Sequence, residues 1–448
     1  MTITSNKRFG SIPVFFTAIS TILGAILFLR FGFAVGTLGF WGVLILILLG
    51  HALTIPTAFA LSELATNKRV EGGGEYFIIS RSFGLNIGAT IGFALFLSQA
   101  ISIAFYIIAF TEAFEFIFNY FMNSFNIYIP RQVISIPATL ILGYIILKRG
   151  ANMGMKMLYF VVAILFLSLL LFFLGKTEYG TTMGSGIPAG DLRNMKDFFI
   201  VFAIVFPAFT GMTAGVGLSG ELRNPSTSIP RGTILATLTG MLIYIAVIYK
   251  LAISVPVEDM LADQLIMSRI AIMGAVIIPV GLAASTFSSA IGSILVAPRT
   301  LQALALDSSF PSKRINRWLS HGRKSDGEPA NATIVTIIIA FFFVALGSVN
   351  AVAQIISMFF LVTYGSLCLI SFLNHFGSSP SYRPSFKSRW YLSLGGFLIA
   401  IWVMFKINAP YAFAALFLMT VIYFYIRAYH RERDGLESLF ANALFQVN

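Results

Sequence analysis

Apolar residues in this chain come in long unbroken runs, with polar residues gathered between them. FFIVFAIVF (198–206) is typical. Such runs repeatedly reach the roughly 20 residues that a helix needs to cross a bilayer. Strands of a membrane barrel would instead show segments of about ten residues with alternating polarity, so the predicted elements are helices. Twelve spans are expected, at about 11–36, 39–63, 84–118, 131–148, 156–175, 197–220, 231–254, 266–296, 332–348, 350–375, 391–406 and 409–427.

Two of these runs carry an interruption. In span six, FPAFTGMTAG (206–215) sets Pro207, Gly211 and Gly215 among apolar residues, with Thr210 and Thr213 between them. In span one, ISTILGAILF (19–28) places small and polar residues at mid-span. The two spans lie five apart. Five is odd, so the second would enter the membrane from the opposite side. Interrupted segments at matching places in two halves point to a transporter binding site. Two inverted repeats are therefore expected, over about 11–175 and 197–375, with two further helices at about 391–427. Residues 1–10 and 428–448 would be short cytoplasmic tails around a single transmembrane domain, 11–427.

Composition agrees. Hydrophobic residues make up 57% of the chain, charged residues 11%, and the mean hydropathy is +0.86. A soluble domain carries about 25% charged residues, so this chain could not face water all round. The net charge of +12 could suggest a nucleic-acid partner. Its distribution argues against one. With the N-terminus inside, 22 of the 30 Lys and Arg fall in cytoplasmic segments, as the positive-inside tendency requires. Both termini are then cytoplasmic, in a multi-pass protein of the cell membrane whose surroundings are lipid.

Chemistry narrows the function. Cys368 is the only cysteine and the four His are scattered, so neither a disulfide nor a Cys/His metal cluster is expected. No HExxH, no GxSxG and no carboxylate pair at helical spacing lies in a span core, which reads as no enzyme and no cofactor. A helix broken at mid-membrane frees carbonyls at the end of one half and N–H groups at the start of the next. The helix dipoles make the first attractive to cations and the second to anions. The cores of both interrupted spans lack Asp, Glu, Lys and Arg, so a zwitterion or a set of inorganic ions would fit. The plainer alternative is a proline kink whose glycines allow close helix packing.

Several stretches resemble the cation–chloride cotransporters: EGGGEYFIISRSFG (71–84), FPAFTGMTAGVGLSGELRNPSTSIPRGT (206–233) and SSAIGSILVAPRTLQAL (288–304). ILGAILFLRFGFAVG (22–36) and SMFFLVTYGSL (357–367) add to them. The resemblance implies an all-α, LeuT-like fold of the amino acid–polyamine–organocation (APC) superfamily, with helices one and six broken. Amino-acid permeases share that fold but typically open span one with a Gly-Ser/Thr-Gly-Ile pattern, absent here.

The resemblance also implies sodium-, potassium- and chloride-coupled cotransport, position by position. Potassium would be held at Thr21, Ile22, Tyr106, Pro207 and Thr210, and sodium at Ser20, Leu23, Ser285, Ser288 and Ser289. Chloride would meet N–H groups at Gly24, Ala25 and Ile26, and a second site at Gly211, Met212 and Thr213 with Tyr364. Tyr106 together with Ser288 and Ser289 points to the sodium–potassium–chloride branch. Arg30 and Glu112 match outer positions, and an ion pair between them is expected as an extracellular gate. Arg299 matches a basic position, leaving inner gate and positive-inside residue both open.

Thr21 and Leu23 stand where the family commonly has Asn and Trp, which changes the pocket but keeps the carbonyls. The 448 residues carry neither the phosphoregulatory segment nor the large cytosolic domain of animal members, so a minimal form is expected and homodimer formation stays open. Three other readings remain: an amino-acid or amine permease, a potassium–chloride cotransporter without sodium, and a non-transporting membrane sensor.

Overall fold

Gly24 stops the first helix before it has crossed. The chain leaves α1 (Ser11–Ile22), passes through extended backbone at Gly24 (φ −84°, ψ −154°) and resumes as the short α2 (Ala25–Leu29). The structure, a computed structural model, describes residues 9–67, 74–149, 151–176, 195–323, 327–376 and 382–430. Residues 1–8 and 431–448, most of the tails expected at 1–10 and 428–448, and the basic residues Lys7, Arg8, Lys68, Arg69, Arg193, Lys324, Arg431 and Arg433 lie outside them.

α3 (Phe31–Asn67) contains the turn between spans one and two. Gly39 sits there at φ 67°, ψ 175°, a backbone conformation open to glycine and costly for other residues. α4 (Glu75–Phe83), α5 (Leu85–Glu112), α6 (Glu115–Phe125), α7 (Gln132–Arg149) and α8 (Ala151–Leu174) complete the first half. α9 (Met195–Val205) opens span six and then fails. Pro207 has no N–H for the α-helical ladder. The chain continues as two 3-10 stretches, Phe206–Phe209 and Gly211–Glu221, parted at Thr210. α10 (Pro225–Ser254), α11 (Val257–Ala262), α12 (Gly274–Leu306), α13 (Lys313–Ser320), α14 (Ala330–Leu346), α15 (Val349–Phe376), α16 (Trp390–Ile407) and α17 (Ala409–Tyr429) follow.

Nine helices among the described residues are long and apolar enough to cross a bilayer. Three more expected spans are met by shorter apolar helices, Gln132–Lys148, Leu158–Leu174 and Ala330–Leu346, so the count of twelve rests on nine full lengths. Two expected boundaries move. Span three ends at Glu112, not near 118: the chain turns at Ala113 and Phe114, with Ala113 N–H donating to Phe110 O at 3.2 Å. The apolar run continues through this turn and hides it. Span eight begins at Gly274, not 266, because Ile266–Arg269 is a 3-10 turn and Met273 takes a left-handed conformation (φ 53°). It then runs on to Leu306, so Arg299 lies inside the helix.

The halves pack by counterpart. α3 lies along α10, α5 along α12 and α7 along α14, each joining a span to the one five later. α1 packs on the Gly211–Glu221 stretch in the same way. This pairing is what two inverted repeats would produce. The interrupted segments end up in the middle: Ile19, Leu23, Leu27, Phe206 and Val216 are fully buried. α16 and α17 stand at the edge, where Trp402, Phe413 and Phe417 are exposed as lipid contact requires.

Candidate binding site at the broken helices

The two interruptions touch each other. A Cβ placed on Gly211 would lie 2.5 Å from Ile22 N and 2.7 Å from Thr21 C, so only glycine allows this approach. The carbonyl end of α1 is thereby set against the start of the Gly211–Glu221 stretch.

Hydroxyls from two other helices converge on that carbonyl end. On α12, Ser285 donates to Leu23 O at 3.0 Å and Ser289 to Ser20 O at 3.4 Å. Between them, Ser288 Oγ is buried without a hydrogen-bond partner. The five residues expected around sodium, Ser20, Leu23, Ser285, Ser288 and Ser289, are therefore adjacent. From α10, Tyr244 donates to Ile22 O, and its hydroxyl also lies 2.9 Å from Ala208 O. Gly24 N–H turns back to Ile22 O as well, at 2.7 Å.

The expected potassium residues lie around the same junction. Thr21 spends its hydroxyl on Thr17 O (2.9 Å), leaving its carbonyl as the group with a possible ligand role. Thr210 donates its hydroxyl to Pro207 O at 2.8 Å. Tyr106 is 4% exposed on α5, within electrostatic reach of Tyr244 and Tyr364.

Across the break lie the residues expected for chloride. Gly24 caps α2, which begins with Ala25 and Ile26. Gly211, Met212 and Thr213 start the second 3-10 stretch, and Tyr364 of α15 donates to Thr210 O just before it. Thr213 also contacts both Tyr364 and the carboxyl of Glu75. The cores of the two interrupted spans hold no acidic residue, yet Glu75 reaches the break from outside them. The cause is α4, which reads in sequence as a connection but folds against this site.

At the far end of α5, Arg30 and Glu112 stand 3.5 Å apart, both buried. The cluster is larger than the pair. Arg131 reaches Glu112 and Glu115 at 3.3 Å each, and Arg30 donates to Gln264 and Asn350 at 3.1 Å. Toward the opposite end of the bundle, Arg299 bonds Glu328 at 3.0 Å.

Sequence reasoning missed Tyr244. It is fully buried, stacks on Phe31 at 4.8 Å and ties both broken helices together. Within TGMLIYIAVIYK it is one aromatic among apolar residues, and nothing local marks it. Tyr244→Phe should remove the one O–H donor that the carbonyls of Ile22 and Ala208 share, at about 1–3 kcal/mol. A lower thermal midpoint in detergent checks this; an unchanged midpoint would show that the hydroxyl does not hold the breaks together.

The amino acid permease family model matches residues 13–447. The chain is 30% identical to cation-chloride cotransporter 1 of Oryza sativa subsp. japonica, over 99% of its own length and 49% of that protein's. It is 30% identical to solute carrier family 12 member 2 of Homo sapiens, over 94% of its own length and 38% of the relative's. Against solute carrier family 12 member 1 of Mus musculus the figures are 28%, 90% and 41%. The chain spans about half or less of the length of these curated relatives.

Proposed function

Since the chain belongs to the amino acid permease family and, within it, to the cation–chloride cotransporters, we propose that it is a secondary cotransporter coupling sodium, potassium and chloride by alternating access. The observation that carries this reading is the convergence of the Ser285 and Ser289 hydroxyls on the carbonyls that end α1, with Ser288 Oγ on the same helix buried and unpartnered.

Sodium is a hard cation that takes oxygen ligands. In this reading it sits among Ser285, Ser288, Ser289 and the carbonyls of Ser20 and Leu23, where an unsatisfied buried hydroxyl gains a partner. Potassium takes the carbonyls of Thr21, Ile22 and Pro207 with the hydroxyls of Thr210 and Tyr106. Ile22 O already accepts from Tyr244 and Gly24, so an arriving cation displaces one of these donors. Chloride faces the N–H groups of Ala25 and Ile26 on one side of the junction, and those of Gly211 to Thr213 with Tyr364 on the other; Gly24, expected with Ala25 and Ile26, spends its N–H on Ile22 O instead. The Arg30–Glu112 cluster closes the outer end, both termini are cytoplasmic, and residues 11–427 form the transport domain of a cell-membrane protein. Ion binding drives the cycle only through different affinities for the outward- and inward-open states.

Proteoliposome uptake of labelled rubidium tests the reading. Influx should fall to background when either sodium or chloride is omitted. Ser288→Ala should raise the sodium concentration for half-maximal influx by about tenfold, the equivalent of about 1.4 kcal/mol. Rubidium influx indifferent to both ions sinks the coupling. If Ser288→Ala leaves influx unchanged, the reading moves to a potassium–chloride cotransporter without sodium. The match to the amino acid permease model supplies the second reading, and chloride-independent uptake of a labelled amino acid decides for it.

A further inference from the structure

Glu75 is a carboxyl group standing at a site proposed for an anion. It opens α4, a helix of nine residues that is not one of the membrane-spanning helices, and it is 3% exposed. One side of the carboxyl meets the Thr213 hydroxyl. Its Oε2 is buried with no hydrogen-bond partner. Thr213 is the third residue of the 3-10 stretch whose opening N–H groups are the proposed chloride donors, and it also contacts Tyr364.

No charged group among the described residues compensates Glu75. On its own helix, Tyr76 and Arg81 are turned to Asp307 at the end of α12, at 2.8 and 3.3 Å. On α3, Glu63 is engaged by Ser371 at 2.7 Å and His375 at 3.4 Å. On α5, Glu112 is held in the cluster with Arg30 and Arg131. On α12, Arg299 bonds Glu328. From α15 the facing group is the Tyr364 hydroxyl, and from span six the Thr213 hydroxyl.

We propose that the Glu75 carboxyl and chloride are alternative, proton-linked occupants of the anion site at Gly211–Thr213. Deprotonated, Glu75 supplies the site's one negative charge and excludes chloride. When chloride binds, the carboxylate takes up a proton and becomes a neutral donor beside it. Each chloride bound above the carboxyl's pKa therefore brings one proton with it. Two anions side by side in a buried site repel strongly, which is the force behind the exchange. The proposal rests on the chloride reading of this site.

Burial raises the Glu75 carboxyl to about 8. The direction of the pH effect follows. Below that value Glu75 is already protonated, and chloride affinity should not change with pH. Above it, binding must take up a proton, so affinity should fall about tenfold per pH unit.

Binding of radiolabelled chloride to the full chain, purified in detergent at fixed sodium and potassium, tests this from about pH 6 to about pH 9.5. The wild type should show a flat Kd up to about pH 7.5 and the tenfold-per-unit rise at the alkaline end. Glu75→Gln should bind chloride with a flat Kd throughout, close to the wild-type value at low pH. A second measurement needs no variant: adding chloride to weakly buffered wild-type protein should draw about one proton per chloride near pH 9 and none near pH 6. Chloride binding with no proton uptake and no pH dependence overturns the proposal and leaves the chloride reading intact. Failure of both proteins to bind chloride at any pH overturns the chloride reading, and the proposal with it.

Discussion

Gly211→Ala should abolish coupled uptake while the protein still inserts and folds. The added methyl would meet Ile22 N at 2.5 Å, Thr21 C at 2.7 Å and Thr21 Cβ at 2.8 Å. The first two are backbone atoms and the third is the side chain's root, so none can swing aside. The two interrupted segments must separate by a few tenths of an ångström to about 1 Å. Overpacking of this kind costs about 1–3 kcal/mol of stability, which a helical bundle of this size tolerates. The damage to function should be greater. The carbonyls at the end of α1 and the N–H groups after Thr210 act as one site only while they abut, and a misplacement of about 1 Å at a reacting centre costs on the order of a hundredfold. Rubidium influx in proteoliposomes, normalised to reconstituted protein, measures it. Influx within about threefold of wild type would show that the breaks do not form a shared site.

Glu112→Gln should cost more stability than any other single change considered. Glu112 lies between Arg30 and Arg131, and Arg30 is itself buried. Replacing the carboxylate by an amide leaves a buried guanidinium facing only neutral acceptors, the new amide oxygen with Asn350, Gln264 and the Leu29 carbonyl. Breaking a buried pair by removing one partner typically costs about 3–5 kcal/mol. The thermal midpoint should fall sharply. A double change, Arg30→Met with Glu112→Leu, should recover much of it, because no charge is then stranded. If the single variant melts with the wild type, the pair does not hold that end of the bundle closed. Uptake by the stable double variant then separates stability from gating.

Both variants concern features that were legible in the sequence. A helix can be read from a run of apolar residues, and a break from Pro207, Gly211 and Gly24 within such runs. Arg30 and Glu112 were legible because charges are rare and costly at membrane depth. Other features left no local trace. Tyr244 meets partners 222 and 36 residues away, and its own helix gives no hint of them. The turn after Glu112 is flanked by apolar residues on both sides, so hydropathy runs straight through it. The C-terminal part of α12 carries Arg299 and Gln302 and reads as loop, although the same residues belong to a continuing helix. Glu75 sits between spans, where an acidic residue looks solvated. Only the fold of α4 against the span-six stretch brings it inward.

α12 has 33 residues and is therefore about 50 Å long at 1.5 Å per residue, against about 30 Å for the hydrocarbon of a bilayer. Ser285, Ser288 and Ser289 sit near its middle, and about 25 Å of helix separates Ser289 from Leu306. It is a lever with the hydroxyl cluster near its fulcrum. Each degree of tilt about that cluster carries Leu306 through about 0.4 Å, and with it the contacts that Asp307 makes to Tyr76 and Arg81. Under the proposed sodium site, a displacement of a fraction of an ångström around the ion would thus be magnified into a rearrangement at the membrane face.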